Sequence, residues 1–223
     1  MPPPTEPQAA AALLTLDGLV AGWSQPVVGP VSLRVTAGDT VGLWGANGSG
    51  KSTLLAAIAG EARCFGGDLQ LAPCIELAVQ PQAPVRFTPL PVTGGELLTI
   101  AGADRGTQAD PGALPETLVR LLPQRLDRLS GGQHQLLCVW AALAGPGRLV
   151  LLDEPTNNLD PTHIALLAEM LAARATDRAV LIVSHERSFL DANCTRVLEL
   201  ARSPGHNGAL PTFAAADGTD RAR

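Results

Sequence analysis

The stretch Gly45-Ala46-Asn47-Gly48-Ser49-Gly50-Lys51-Ser52 constrains this chain more than any other part of it. It fits the pattern G-x-x-x-x-G-K-[ST]. It stands between a short apolar run, Thr40–Trp44, and a helix-favouring stretch, Ser52–Ala59, which Gly60 closes. Glycines at these positions let successive backbone N–H groups turn toward one point, because no Cβ blocks the approach of an anion. The N-terminus of the following helix adds partial positive charge at that point. The segment therefore reads as a phosphate cradle lined by Gly45, Asn47, Gly48, Ser49, Gly50 and Thr53. Lys51 would bridge β- and γ-phosphates and the Ser52 hydroxyl would ligate Mg²⁺. A merely structural glycine turn would not need the lysine and the serine as well. Lys51 is the only lysine of the chain. Biased base composition accounts for most of that scarcity, but the lysine that remains stands where phosphate chemistry requires one.

A second feature lies about a hundred residues on. The apolar run Leu149–Leu152 delivers Asp153 and Glu154 to its C-terminal end, where ligands bind in open α/β sheets. Asp153 is expected to hold magnesium through water, and Glu154 to polarise an attacking water as general base. On its own, an Asp-Glu pair after a strand is equally suited to capping the next helix. Taken with the glycine-rich loop, it marks a P-loop NTPase.

The expected fold is α/β: a P-loop NTPase core with a mostly parallel sheet, an N-terminal antiparallel β subdomain and an inserted small helical lobe. Leu149–Leu152 and Val180–Val183 are continuous apolar runs, as in strands covered on both faces. Leu13–Leu16 and Val31–Val35 alternate and read as half-buried antiparallel strands. Pro161–Arg174 reads as an amphipathic helix with proline in its first turn. Prolines punctuate residues 84–128, with short helical patches at Glu96–Ile100 and Glu116–Leu122, and a buried helix follows at Leu136–Ala144. This places the lobe at about 84–145, within an ATPase domain over 13–200. Residues 1–12 read as a disordered leader and 201–223 as a loose tail.

Composition narrows the function classes. The chain has 223 residues, 46% of them hydrophobic, enough for one well-filled α/β domain. A net charge of -5 offers no basic face for nucleic acid. Its four cysteines form no CxxC pair and read as reduced thiols. The Pro/Ala-rich start lacks the basic region of a signal peptide. No apolar run reaches the roughly 18 residues of a membrane helix, so no direct membrane insertion is expected.

Leu129-Ser130-Gly131-Gly132-Gln133 then resembles the LSGGQ signature of the ABC (ATP-binding cassette) ATPases. The resemblance covers roughly residues 13–200. It implies that Ser130, Gly131, Gly132 and Gln133 cap the γ-phosphate of ATP bound to another subunit. It also implies that Trp23 stacks on adenine, an edge or core aromatic being the alternative. Gln82, with Gln80 as fallback, matches the glutamine that touches metal and attacking water. Thr156–Asp160 resembles the D-loop at the dimer interface, unless Asp160 simply caps a helix. His185 matches the switch histidine. The cofactors implied are ATP and Mg²⁺, the metal falling to Ser52, Gln82 and Asp153, with Glu154, His185 and Gln82 as the catalytic set. The implied partners are a second copy or a related cassette and integral membrane permease subunits. The implied location is cytoplasmic, peripheral on the inner face of the membrane. Leu90–Leu98 looks similar to the corresponding segment of importer ATPases, including zinc and manganese types. Ser184–Leu190 and Thr156–Asp160 resemble the ribosome-acting F-type subfamily, which leaves a soluble ABC protein of that kind as the alternative. A cassette that binds ATP but scarcely hydrolyses it is a third reading. Two departures stand out: Leu136 and Ala141, after Trp140, occupy positions that are usually basic, and Glu186 replaces an Asp.

Overall fold

Buried apolar runs with a period of two build the centre of the molecule. The computed structural model describes residues 11–82, 91–103, 114–173, 177–202 and 210–214. Strands β6 (Leu149–Asp153) and β7 (Ala179–Ser184) are buried at every position. Their side chains divide between two cores. Val150, Leu152, Val180 and Ile182 face one, while Leu149, Leu151, Ala179, Leu181 and Val183 face the other. That division is why the runs carry no polar alternation: a strand covered on both faces has no solvent side.

The two strands lie in a six-stranded sheet of order β5-β6-β7-β3-β8-β9. Here β3 is Thr40–Trp44, β5 Leu77–Gln80, β8 Arg196–Arg202 and β9 Pro211–Ala214. All neighbours pair in parallel except β9, which runs antiparallel to β8. A second sheet, of order β2-β1-β4, is antiparallel throughout. It is formed by β1 (Ala12–Gly22), β2 (Pro26–Thr36) and β4 (Arg63–Leu71). Helix α1 (Lys51–Ile58) contributes Leu54, Leu55, Ala57 and Ile58 to the core shared with this sheet.

The opposite core belongs to the remaining helices. They are α2 (Gly94–Ile100), α3 (Glu116–Val119), α4 (Gly131–Ala144), α5 (Pro161–Ala172) and α6 (Arg187–Asn193). Helices α2, α3 and the start of α4 follow one another between β5 and β6, as the expected lobe does. Residues 83–90 and 104–113 of that lobe lie outside the described residues, as do most of the expected leader and Arg174. Helix α2 is fixed by a reciprocal capping box: Thr93 Oγ1 accepts from Glu96 N, and the Glu96 carboxylate accepts from Thr93 N.

Three features differ from the sequence reading. Leu13–Leu16 is the start of a strand running to Gly22, with register shifts along it. Strand β4 has no clear alternation because most of its positions are exposed at a sheet edge. Within the expected loose tail, Ala201 and Arg202 complete β8, and Pro211–Ala214 cover its outer edge as β9. An open edge of hydrogen-bonding groups favours such a cover even when only four residues supply it.

Helix α4 has no basic residue in its last turn. Its terminal carbonyls are met from elsewhere: Arg178, just before β7, donates Nη1 to Leu143 O at 2.6 Å and also to Gly145 O. A charged donor on orphan helix carbonyls is a stabilising arrangement. Arg178→Met keeps the stem and removes these donors. It is expected to lower stability by roughly 2 kcal/mol in urea unfolding, with nucleotide affinity unchanged.

Candidate functional site

Gly50 starts the site, because it makes the turn from β3 into α1 possible. It sits at φ +93°, and a Cβ there would come within 2.8 Å of the Val28 side chain. Gly45 is restricted differently: its Cβ would meet the Leu200 carbonyl at 2.6 Å. Both positions exclude a side chain on local grounds, whatever the ligand. The loop they form, with Val27, Gln82 and Glu154, lines a cavity of about 360 Å³. Asn47, Gly48, Ser49, Gly50, Lys51, Ser52 and Thr53 all border it.

Lys51 is 5% exposed. Its Nζ donates to Gly45 O at 2.8 Å and Ala46 O at 3.0 Å, which employs two of the three ammonium donors. Burial lowers its pKa, and the neighbouring Glu154 and Asp153 carboxylates work against that shift. Ser49 Oγ is buried at the cavity wall without a hydrogen-bond partner, a polar atom that a ligand oxygen would satisfy. The pocket thus offers backbone N–H groups at a helix start, one ammonium and one unpartnered hydroxyl, a donor set that fits phosphate oxygens.

The two residues expected to hold a metal, Ser52 and Asp153, meet as well. Ser52 Oγ donates to Asp153 Oδ1 at 3.1 Å, joining the start of α1 to the end of β6. Burial raises the Asp153 pKa, while the Ser52 hydroxyl pulls it down. Two hard oxygens this close, one of them a buried carboxylate, suit Mg²⁺.

Glu154 is 6% exposed and has φ +51°, a left-handed conformation that costs a non-glycine residue about 1–2 kcal/mol. Its N–H donates to Val183 O at 2.9 Å, so the chain turns sharply while still bonded to β7. This turn sends the Glu154 carboxylate to His185: Oε2 lies 2.8 Å from Nδ1 and 3.3 Å from the His185 backbone N. His185 remains exposed. Beside it, Ser184 and Thr156 place their hydroxyls 3.4 Å apart in a buried contact.

The other expected residues lie apart from this cavity. Ser130 caps α4 in a capping box with Gln133: its Oγ accepts from Gln133 N, and its N donates to Gln133 Oε1. Gly131 is open to solvent, whereas Gly132 packs against Asn158 O, Leu159 and His163. Asp160 caps α5, accepting from His163 N and contacting His163 Nδ1, so its helix-capping role is realised. None of these residues lines the phosphate-loop cavity. Trp23 is 53% exposed in the turn between β1 and β2, outside the cavity lining. Of the two glutamines, Gln82 borders the cavity and Gln80 is buried at the end of β5. Leu136 is buried in the core, and Ala141 borders a separate apolar cavity of about 280 Å³ with Leu77, Leu97 and Cys138. The Cys138 thiol is pushed up to about 11 by burial.

Two contributors escape sequence reading. Val27 lines the cavity from β2, and Trp44, just before Gly45, donates Nε1 to His185 O at 3.2 Å. A tryptophan abutting the glycine-rich loop was the available signal for the second, and nothing marks Val27.

Comparison with known proteins agrees with the fold and loop. A family model described as "ABC transporter" matches residues 28–86, and one described as "AAA domain, putative AbiEii toxin, Type IV TA system" matches 103–191. The zinc import ATP-binding protein ZnuC of Roseobacter denitrificans is 35% identical over 84% of this chain and 74% of its own length. The ATP-binding protein Uup of Caulobacter vibrioides is 33% identical over 83% of this chain, which spans only 31% of that protein. A solved ATP-binding subunit of an ABC transporter superposes with a TM-score of 0.71 at 26% identity, covering 84% of this chain and 85% of that one. The chain belongs to the ABC ATPase family and is an ATP-binding ATPase of P-loop fold.

The left-handed backbone at Glu154 gives a direct test of local strain. Glu154→Ala and Glu154→Gly both remove the carboxylate, but only glycine accepts φ +51° freely. Glu154→Gly is expected to be more stable than Glu154→Ala by about 1 kcal/mol in denaturant unfolding.

Proposed function

We propose that this chain is the ATP-hydrolysing subunit of an ABC importer and works as a pair around two Mg-ATP. The observation that carries the reading is the linked pair of contacts, Ser52 on Asp153 and His185 on Glu154, at the rim of one phosphate-binding loop. Bound Mg-ATP supplies the γ-phosphoryl group and the cation that offsets its charge. Lys51 would hold β- and γ-phosphate oxygens, and Ser52 and Asp153 would hold the cation, with Gln82 at the same wall. The Glu154 carboxylate orients water and accepts its proton. With Nδ1–H donating to Glu154, His185 can donate from Nε2 to a γ-phosphate oxygen only when both ring nitrogens carry a proton. Trp23 supplies an exposed aromatic face for adenine.

Separation of the signature from the loop supports pairing. Ser130, Gly131, Gly132 and Gln133 surround the start of α4, away from the cavity, so a second copy or related cassette would bring them to the phosphate. ATP then favours the closed pair and hydrolysis releases it, which can drive a partner. Permease subunits are that partner. Among the described residues no helix is long and apolar enough to cross a membrane. The Ala141 cavity lies between β5, α2 and α4 and offers an apolar seat for a permease segment. Similarity to a zinc import protein supports metal uptake as the transported class. The F-type-like soluble reading is supported by the Ser184–Leu190 and Thr156–Asp160 stretches.

Glu154→Gln is the variant that tests this. Turnover is expected to fall at least about 100-fold with Mg-ATP affinity retained. Wild-type turnover no faster than the variant's would sink the hydrolytic reading. Captured with Mg-ATP in mild detergent, the variant is expected to bring down a multi-helix membrane protein, and ribosomal particles instead would favour the F-type-like alternative.

A further inference from the structure

The backbone on either side of the His185 Cα is held, and the two grips come from different parts of the chain. Its N–H points to Glu154 Oε2 at 3.3 Å. Its carbonyl accepts the indole N–H of Trp44 at 3.2 Å. Trp44 is the last residue of β3 and pairs in register with Ser184, so the ring need reach only one residue along the neighbouring strand. Directly after Trp44 the chain becomes Gly45 and the phosphate loop.

The indole is itself held. The Arg187 guanidinium carbon lies 5.5 Å from the ring centroid, within cation–π range. Arg187 is fixed in turn by Asp191, one turn on in α6, at 2.8 Å. On the other side of His185, Glu186 N donates to Ser184 Oγ at 3.0 Å. Residues 184–187 are thus bound to β3 by one side chain and to the end of β6 by another.

From this geometry we infer that Trp44 is a positioning residue for His185, coupling the backbone that enters the phosphate loop to the residue expected to contact the γ-phosphate. This inference rests on the proposed roles of His185 and Glu154. Trp44 touches neither the cavity nor the reacting atoms. It acts by fixing the His185 carbonyl, and hence the orientation of the peptide that sets the imidazole against Glu154. A displacement of the phosphate loop moves Trp44 and is felt at His185 without passing through the nucleotide. Because misplaced groups cost rate rather than ground-state affinity, its removal should appear in kcat.

Trp44→Phe keeps a ring beneath Arg187 and removes only the N–H donor. The experiment compares wild type, Trp44→Phe, His185→Ala and the double variant, measuring kcat and KM for Mg-ATP, with single-turnover rates for slow variants. Trp44→Phe is expected to lower kcat by about five- to tenfold with KM within about twofold. In the His185→Ala background it should cause no further loss, since its effect runs through His185. The inference is overturned by Trp44→Phe turning over like wild type while His185→Ala is impaired, or by losses that multiply in the double variant. A rise in KM at unchanged kcat would also overturn it, assigning Trp44 to nucleotide binding instead. If His185→Ala itself turned over like wild type, the failure would lie with the role proposed for His185. A thermal unfolding scan of Trp44→Phe shows that any loss is not one of folding.

Discussion

The parallel pairing of β7 with β6 on one side and β3 on the other is the constraint from which the site follows. Its register sets Asp153 opposite Val183 and Trp44 opposite Ser184. Three chain segments far apart in sequence therefore leave the sheet at the same level: the glycine-rich loop, the Asp153-Glu154 turn and the His185 turn. A slip of a single residue in either pairing would exchange the side chains facing the two cores and carry the acids away from the loop. Both faces of β6 and β7 are apolar, so it is the fit of each side chain into its own core, and not polarity, that opposes the slip.

Electrostatics at this level is balanced narrowly. Two buried acids and one buried lysine share a small volume, and burial weakens the charge of Lys51 and of Asp153 alike. The Ser52 hydroxyl and the loop carbonyls hold these side chains in place without supplying compensating charge. A triphosphate alone would add negative charge to the two acids, and a divalent cation beside Ser52 and Asp153 would offset it. The strain at Glu154 belongs to the same arrangement, since the left-handed turn sends the carboxylate back toward β7 instead of onward into solvent.

Much of this was legible in the sequence for definite physical reasons. Strands β3, β6 and β7 announce themselves because strands covered on both faces are uniformly apolar. The loop announces itself because Gly50 and Gly45 tolerate no side chain and because a lysine and a serine follow them in a pattern suited to phosphate. Strand β4 was illegible because half-buried Gly66 is followed by exposed Gly67 and Asp68, which break any alternation. Strand β9 is short and owes its form to the open edge of β8. The contact of Trp44 with His185 spans 141 positions, and that of Arg178 with Leu143 spans 35, beyond any local pattern. Asp160 was left between interface and cap, and the geometry displays the cap.

The capping box at the start of α4 has a consequence for how two copies could meet. Ser130 uses an oxygen lone pair to cap the helix and keeps its hydroxyl proton, while Gln133 accepts with its carbonyl oxygen and keeps its amide protons. What this corner presents outward is a set of donors already fixed in place. The phosphate loop is also rich in donors. Two such surfaces have little to exchange directly, and only something rich in acceptor oxygens can satisfy both at once. Association through these faces would then work as a logical conjunction: neither surface would recognise the other, and each would recognise the same anion between them.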